Sequence, residues 1–353
     1  MKPLRFSLLI LTLFTLSANA IIMRHDRDPK LYLANQQDYQ SVVDLKYMTG
    51  TLIAPQWIIT AAHATHVIPW GYRVTINGQE YKVESIVPHP EYNGENQDND
   101  IALLKLDRAV EGIMPAQPYT LSDEKLKHVW FVGKGYVGNG EVGITGPATR
   151  LNRAENIIDS VDDLWISFDF DSPKNNALDL EGVSGPGDSG GPAFINTAKG
   201  LKIAGVSSHQ LNDDDSPEGT YGAGERYARV SRYLDWINEI QTMSESALND
   251  VALTRTRYLK EASSQSEQNK LLGTYELEDG SQLQIDNCEE GICYSFVGRP
   301  GQSAIFKAQD NFWFTPNLNR AIKIVKTKNS IVSQLLLKDF MGERNATRAA
   351  NNR

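Results

Sequence analysis

The stretch Gly187-Asp188-Ser189-Gly190-Gly191-Pro192 decides how this chain is read. Glycines on both sides of one serine permit a tight turn, because a residue without Cβ enters backbone conformations that others avoid. Such a turn presents the hydroxyl and points peptide N–H groups outward. A glycine-rich link between two strands would look similar, so the turn needs company. A serine hydroxyl is also a weak nucleophile. It requires a histidine to take its proton, a buried carboxylate to hold that histidine's tautomer, and two N–H groups facing the developing oxyanion.

Both partners stand upstream. His63 closes Trp57-Ile58-Ile59-Thr60-Ala61-Ala62-His63, an apolar strand, and Gly50-Thr51-Leu52-Ile53 supplies the strand before it. Asp100 opens Asn99-Asp100-Ile101-Ala102-Leu103-Leu104-Lys105-Leu106, where a carboxylate at the head of an apolar strand can be buried beside an imidazole. Asp98 is the neighbouring acidic candidate, and register with the apolar strand favours Asp100.

These three strings, in the order His, Asp, Ser, resemble the motifs of the chymotrypsin/trypsin family of serine proteases. The resemblance runs from residue 21 to about 240. Within the family it points to a secreted, bacterial member with an appended C-terminal β domain. It implies an all-β fold: two antiparallel six-stranded β-barrels and a terminal helix. It implies a serine endopeptidase with His63, Asp100 and Ser189 as its triad, acting through an acyl-enzyme, with the N–H groups of Gly187 and Ser189 as the oxyanion hole. Tyr227-Ala228-Arg229-Val230 is similar to the strand before the terminal helix, which Trp236-Ile237 then marks. Gly205-Val206-Ser207 is similar to the strand lining the primary pocket, so Ser207 is expected beside Asp100, with its carbonyl facing the substrate. The resemblance places Val183, Ser184, Ser207, His209 and Glu225 around that pocket.

The sequence also departs from the family pattern. Met48, Ala64 and Gly185 stand where many members carry half-cystines. Val183 stands where preference for basic substrates would need Asp, and His209 and Glu225 stand where Gly is usual. Asp213-Asp214-Asp215 lies on the loop between these two. Glu225 has two readings. Its carboxylate could attract a basic substrate side chain, or it could pair with Arg226 or His209 and close the pocket to large residues. A catalytically silent binding protein on the same scaffold is the alternative function, although such homologues usually lose a triad member.

The first twenty residues read as a signal peptide. Lys2 and Arg5 precede an apolar run from Phe6 to Leu16, and Ala18-Asn19-Ala20 offers small residues at the cleavage positions. The run is short for a span of about 20 residues, so no membrane anchor is expected after cleavage, and the secreted or periplasmic space is the expected location. Cleavage would leave Ile21-Ile22 at the new start. Active members of the family begin with such a pair, and the freed α-ammonium pairs with the Asp before the nucleophile, here Asp188. Signal cleavage would then also be the activating step.

Composition narrows the rest. The full chain has 35 basic and 44 acidic residues, a net charge of −9. Without Lys2 and Arg5 the balance is 33 − 44 = −11. An acidic protein gains nothing from counterion release on nucleic acid, so a protein or peptide substrate is the expected partner. No cofactor or metal is called for. In an exported protein the two cysteines, Cys288 and Cys293, are expected to form a disulfide. At roughly 150 residues per domain, 353 residues allow about two. A helical period over 232–240 ends the first domain, at 240, and a polar helix extension and linker over 241–270 follow. A small antiparallel β domain is expected over 271–340, with a hairpin turn at Asp279-Gly280, Phe312-Trp313-Phe314 in its core and a flexible tail over 341–353. Its partner is open.

Overall fold

The computed structural model describes residues 21–68, 72–94, 96–211, 217–252, 261–289, 291–298, 302–308, 312–315, 321–339 and 342–349. The expected signal peptide and Asp213-Asp214-Asp215 lie outside these residues. The fold is mostly β, as the alternating apolar runs predict.

A six-stranded sheet comes first, in the order Val42–Asp44, Thr49–Ala54, Trp57–Thr60, Ala102–Leu106, Gln79–Pro88, Arg73–Ile76. Alternation sorts its side chains between two faces. Leu52, Ile58, Val74, Tyr81, Leu104 and Leu106 fill one core. Trp57, Ile59 and Leu103 point the other way and join Val132, Trp165, Phe194 and Val206 from the second half of the chain in another. Each fully buried Ile, Leu or Val contributes about 1.5–3 kcal/mol, so this seam binds the two halves firmly.

The expectation of two six-stranded barrels holds only in part. The second half runs Asn152–Ile157, His128–Gly133, Pro192–Thr197, Gly200–Leu211, Gly224–Arg229, Trp165–Asp169, Ser160–Val161, and Gln117–Pro118 adds an eighth strand parallel to Gly200–Leu211. At its centre Phe131 stacks on Tyr227, and Phe168 meets both rings edge-on. A separate four-stranded sheet takes in Gly143–Pro147, Tyr136–Asn139, Ile21–Met23 and Gly182–Val183. Ile21–Met23 lies parallel to one neighbour and antiparallel to the other, so it recruits edge residues that a simple barrel would leave out.

Helix Leu234–Thr242 buries Ile237 and Ile240, three apart, and the Ser244-capped helix Glu245–Val251 adds Leu248 to the seam core. Helix Gln265–Leu271, opened by a Ser264/Glu267 capping box, precedes the C-terminal strands. Among the described residues no helix is long and apolar enough to cross a membrane.

The C-terminal region is a closed barrel of eight strands, from Gly273–Leu277 to Gly342–Arg348. Trp313 and Phe314 are buried in it, Gly280 makes its turn at φ +77°, and Cys288 and Cys293 are bridged. The flexible tail is a correction. Gly342–Arg348 pairs with both Gly273–Leu277 and Ile331–Asp339 and closes the barrel. Its polar composition hides a strand whose backbone does the pairing and in which, among the described side chains, only Ala346 is buried.

Candidate active site

The Asp100 side chain is wholly buried where its apolar strand begins. One carboxylate oxygen accepts the His63 backbone N–H at 2.8 Å, and the other lies 2.7 Å from His63 Nδ1. That second oxygen also accepts the Ser208 hydroxyl at 2.5 Å. Burial alone would push the Asp100 carboxyl up; attraction to His63 and these hydrogen bonds outweigh it and hold it below the usual value. An ionised carboxylate only accepts, so Nδ1 carries the proton and Nε2 is left as the acceptor. Asp98 faces elsewhere and takes the Asn96 side-chain amide at 2.7 Å.

Ser189 sits on the turn between Gly182–Val183 and Pro192–Thr197. Gly187 and Gly190 have φ of +92° and +81°, the left-handed region that favours glycine. A Cβ on Gly190 would lie 2.1 Å from Thr60 Oγ1, so only glycine lets the turn approach the strand leading into His63. Thr49 N–H donates to the Ser189 carbonyl at 2.9 Å, and Gly190 N–H to the Ser207 carbonyl at 2.8 Å. Among the described residues no hydrogen bond joins Ser189 Oγ to His63; such contacts are often long before substrate binds.

Asp188 is buried behind the turn. It accepts N–H groups from Gly135 at 2.7 Å and Gly185 at 3.0 Å, and those of Ile21 and Lys134 also favour its charge. Burial outweighs them and pushes its carboxyl up to about 6. Ile21 and Ile22 are buried in the four-stranded sheet.

The pocket residues correct two expectations. Ser207 does not contact the Asp100 carboxylate; its hydroxyl lies 3.2 Å from Ser184 Oγ, and Ser208 takes the place beside Asp100. The register between Gly200–Leu211 and Gly224–Arg229 shifts between Ser207 and His209. One added residue turns each following side chain to the opposite side. His209 therefore packs edge-on against Trp165, with ring centroids 5.1 Å apart. Gln210, which no motif marks, reaches across and donates from Nε2 to the Ser184 carbonyl at 2.8 Å.

Glu225 pairs with neither Arg226 nor His209. Its carboxylate accepts the Ser184 N–H at 2.9 and 3.0 Å and also the Ser184 hydroxyl. Burial pushes it up to about 7, against the pull of the Ser184 hydrogen bonds. Val183 is fully buried beside Ile22 and Phe170. Counting alternation back from Tyr227 does not find the Ser184 partner, which follows the distant strand Gly182–Val183. Among the described residues no group of three or more His, Cys, Asp or Glu side chains could hold a metal.

This arrangement can polarise a serine and hold a histidine in one tautomer, and sequence comparison agrees with that chemistry. The family model Trypsin matches residues 32–237, more than half of the chain, and the chain belongs to the trypsin-like serine protease family, whose reaction is peptide-bond hydrolysis. It is 30% identical over 209 residues to Serine protease SP24D of Anopheles gambiae, covering 53% of this chain and 69% of that protein. It is 28% identical over 265 residues to Granzyme B of Rattus norvegicus, covering 68% and 99%. It is 26% identical over 243 residues to Chymotrypsin-like elastase family member 1 of Homo sapiens, covering 59% and 89%. All three come from animals, which lends no support to the bacterial source expected above.

Proposed function

We propose that the chain is an exported serine endopeptidase, with a protease domain over residues 21–240 and a β domain beyond the linker. His63 Nε2 takes the Ser189 hydroxyl proton as Oγ attacks the substrate carbonyl. The N–H groups of Gly187 and Ser189 receive the oxyanion. Collapse expels the amine, protonated by His63, and leaves an acyl-Ser189 ester. Water, deprotonated by the same histidine, then hydrolyses it. Asp100 stays ionised throughout. The observation that carries this reading is the buried Asp100 carboxylate, which grips both N–H groups of His63 and the Ser208 hydroxyl. The test is a peptide-library digest with wild type and Ser189→Ala, alongside labelling by a fluorophosphonate. A silent scaffold would neither cut nor label, and would sink the proposal.

Activation by the mature N-terminus belongs to the same proposal. In the full chain the nitrogen of Ile21 is a peptide N–H, and it already favours the charge on Asp188. Cleavage before Ile21 would turn it into an ammonium beside a buried carboxyl at about 6, and attraction would draw that carboxyl down. The ammonium's own pKa would rise from roughly 8, so its support is present at neutral pH and lost as pH climbs through the raised value. Full activity of an unprocessed product with one extra residue before Ile21 would refute it.

For specificity, the reading best supported is a small, uncharged side chain before the cut bond. Glu225 is turned onto Ser184 and its carboxyl resists ionisation, while Gln210 spans to the Ser184 carbonyl. Both subtract from the room and the charge that a lysine or arginine would need.

A further inference from the structure

We infer that Thr49 is a positioning residue: its hydroxyl staples the oxyanion-binding turn to strand Thr49–Ala54, the neighbour of the strand that leads into His63. The inference rests on the protease reading above and adds a residue to it. Thr49 is 3% exposed, in Thr49–Ala54 of the six-stranded sheet. Every polar group it owns is spent on the site. Its N–H donates to the Ser189 carbonyl at 2.9 Å. Its Oγ1 donates to the Gly187 carbonyl at 3.2 Å. Its own carbonyl accepts Thr60 Oγ1 at 2.8 Å. Two hydrogen bonds from one residue thus bracket Asp188, and a third ties them to the strand three residues before His63.

The hydroxyl bond matters for a physical reason. Gly187 has no side chain to restrict it, and glycine loses more backbone freedom on ordering than any other residue. Its N–H is expected to face the oxyanion, so its orientation sets how well the developing charge is received. Fixing the Gly187 carbonyl fixes the peptide plane on the far side of its Cα and leaves fewer ways for the N–H to swing. Asp188 anchors the turn from behind, through Gly135 and Gly185. Thr49 anchors it from the other sheet. Met48 and Ala64 are not cysteines, so no cystine adds to these hydrogen bonds here.

Three full-length variants test this. Thr49→Val keeps the shape and the N–H bond but deletes the hydroxyl, and Thr49→Ser returns it. Thr51→Val makes the same change two residues along the strand, where Oγ1 is buried without a partner among the described residues. Losing one net hydrogen bond of the usual size predicts that Thr49→Val lowers kcat roughly 3- to 10-fold. KM should stay within about twofold, because the loss falls on the transition state. Thr49→Ser should return to within about twofold of wild type, and Thr51→Val should match wild type. Amide hydrogen exchange over 185–191 should quicken in Thr49→Val alone. An unchanged kcat, an equal fall in Thr51→Val, or no rescue by serine overturns the inference. If wild type neither turns over nor labels with a fluorophosphonate, the protease reading fails separately. Exchange then decides: quickening in Thr49→Val alone upholds the staple, and its absence refutes it. Thr49→Ala serves for the same measurements if the valine variant does not fold.

Discussion

The protease half and the C-terminal barrel are both β structures, yet they spend their interiors differently. Among the described residues, all the buried ionisable acidic and basic side chains lie before residue 230: Arg24, Asp100, Glu124, Glu181, Asp188 and Glu225. The barrel core is Leu, Ile, Val, Trp, Ala and two tyrosines. Tyr275 satisfies its hydroxyl on the Leu271 carbonyl at 2.7 Å, and Arg348 crosses its ring with the guanidinium 5.1 Å from the centroid. Burying a charge is costly unless it is paired and hydrogen-bonded. Of these six, Asp100 lies against His63 and Asp188 behind the Ser189 turn, and the others are held by hydrogen bonds or ion pairs, while the barrel fills its centre with apolar volume.

That contrast can be broken by experiment. Asp100→Asn should cost about 10⁴-fold in kcat, since an amide accepts poorly and permits the wrong tautomer. Its effect on melting should be modest, because an uncharged side chain is easier to bury. A fall of less than tenfold would break the claim that this charge serves the reaction. Leu335→Ala in the barrel should do the reverse. Its side chain is fully buried, so truncation should destabilise by about 2–5 kcal/mol, read as a lower denaturation midpoint for the C-terminal strands with kcat unchanged. A parallel loss of kcat would show that the barrel supports the site.

The smallest effect is the most specific. The Glu225 carboxyl is raised from its ordinary 4.5 to about 7 by burial. A raised carboxyl pKa means that the folded state binds more protons than the unfolded state between those values. Stability from this group is therefore greatest below about 4.5 and declines until about 7. Glu225→Gln removes that slope. The variant should melt like wild type at pH 4 and be more stable at pH 8 by about 1–2 kcal/mol, after discounting for the rearranged Ser184 contacts. Melting curves that coincide at pH 8 would argue that Glu225 is already comfortably charged. Cleavage of basic substrates that vanishes with this change would restore the basic reading of the pocket.

The sequence was most legible where chemistry forces local pattern. The turn around Ser189 needs glycines next to one another in the chain, the strand before His63 needs an unbroken apolar run, and the helix at 234–242 needs its 3.6-residue period. It was least legible where a partner arrives from far away. Nearness along the chain points Glu225 toward Arg226 and His209, whereas its partner is Ser184, 41 residues distant. The last barrel strand resembles a tail in sequence because a strand whose backbone supplies the pairing needs little apolar content, and Glu343 to Arg348 has little.

The sequence by itself determined the family, the order of His63, Asp100 and Ser189, the strand-rich character of both halves and the pairing of two lone cysteines. Each rests on contiguous residues or on counting. Only the packed fold decided that Ser208 rather than Ser207 meets Asp100, that Gln210 reaches the Ser184 carbonyl, and that Thr49 holds both sides of the Ser189 turn. A strand has a period of two, so a single inserted residue reverses every side chain beyond it. The bulge at Ser208 shows only in the pairing of Gly200–Leu211 with Gly224–Arg229, which no local run of residues announces.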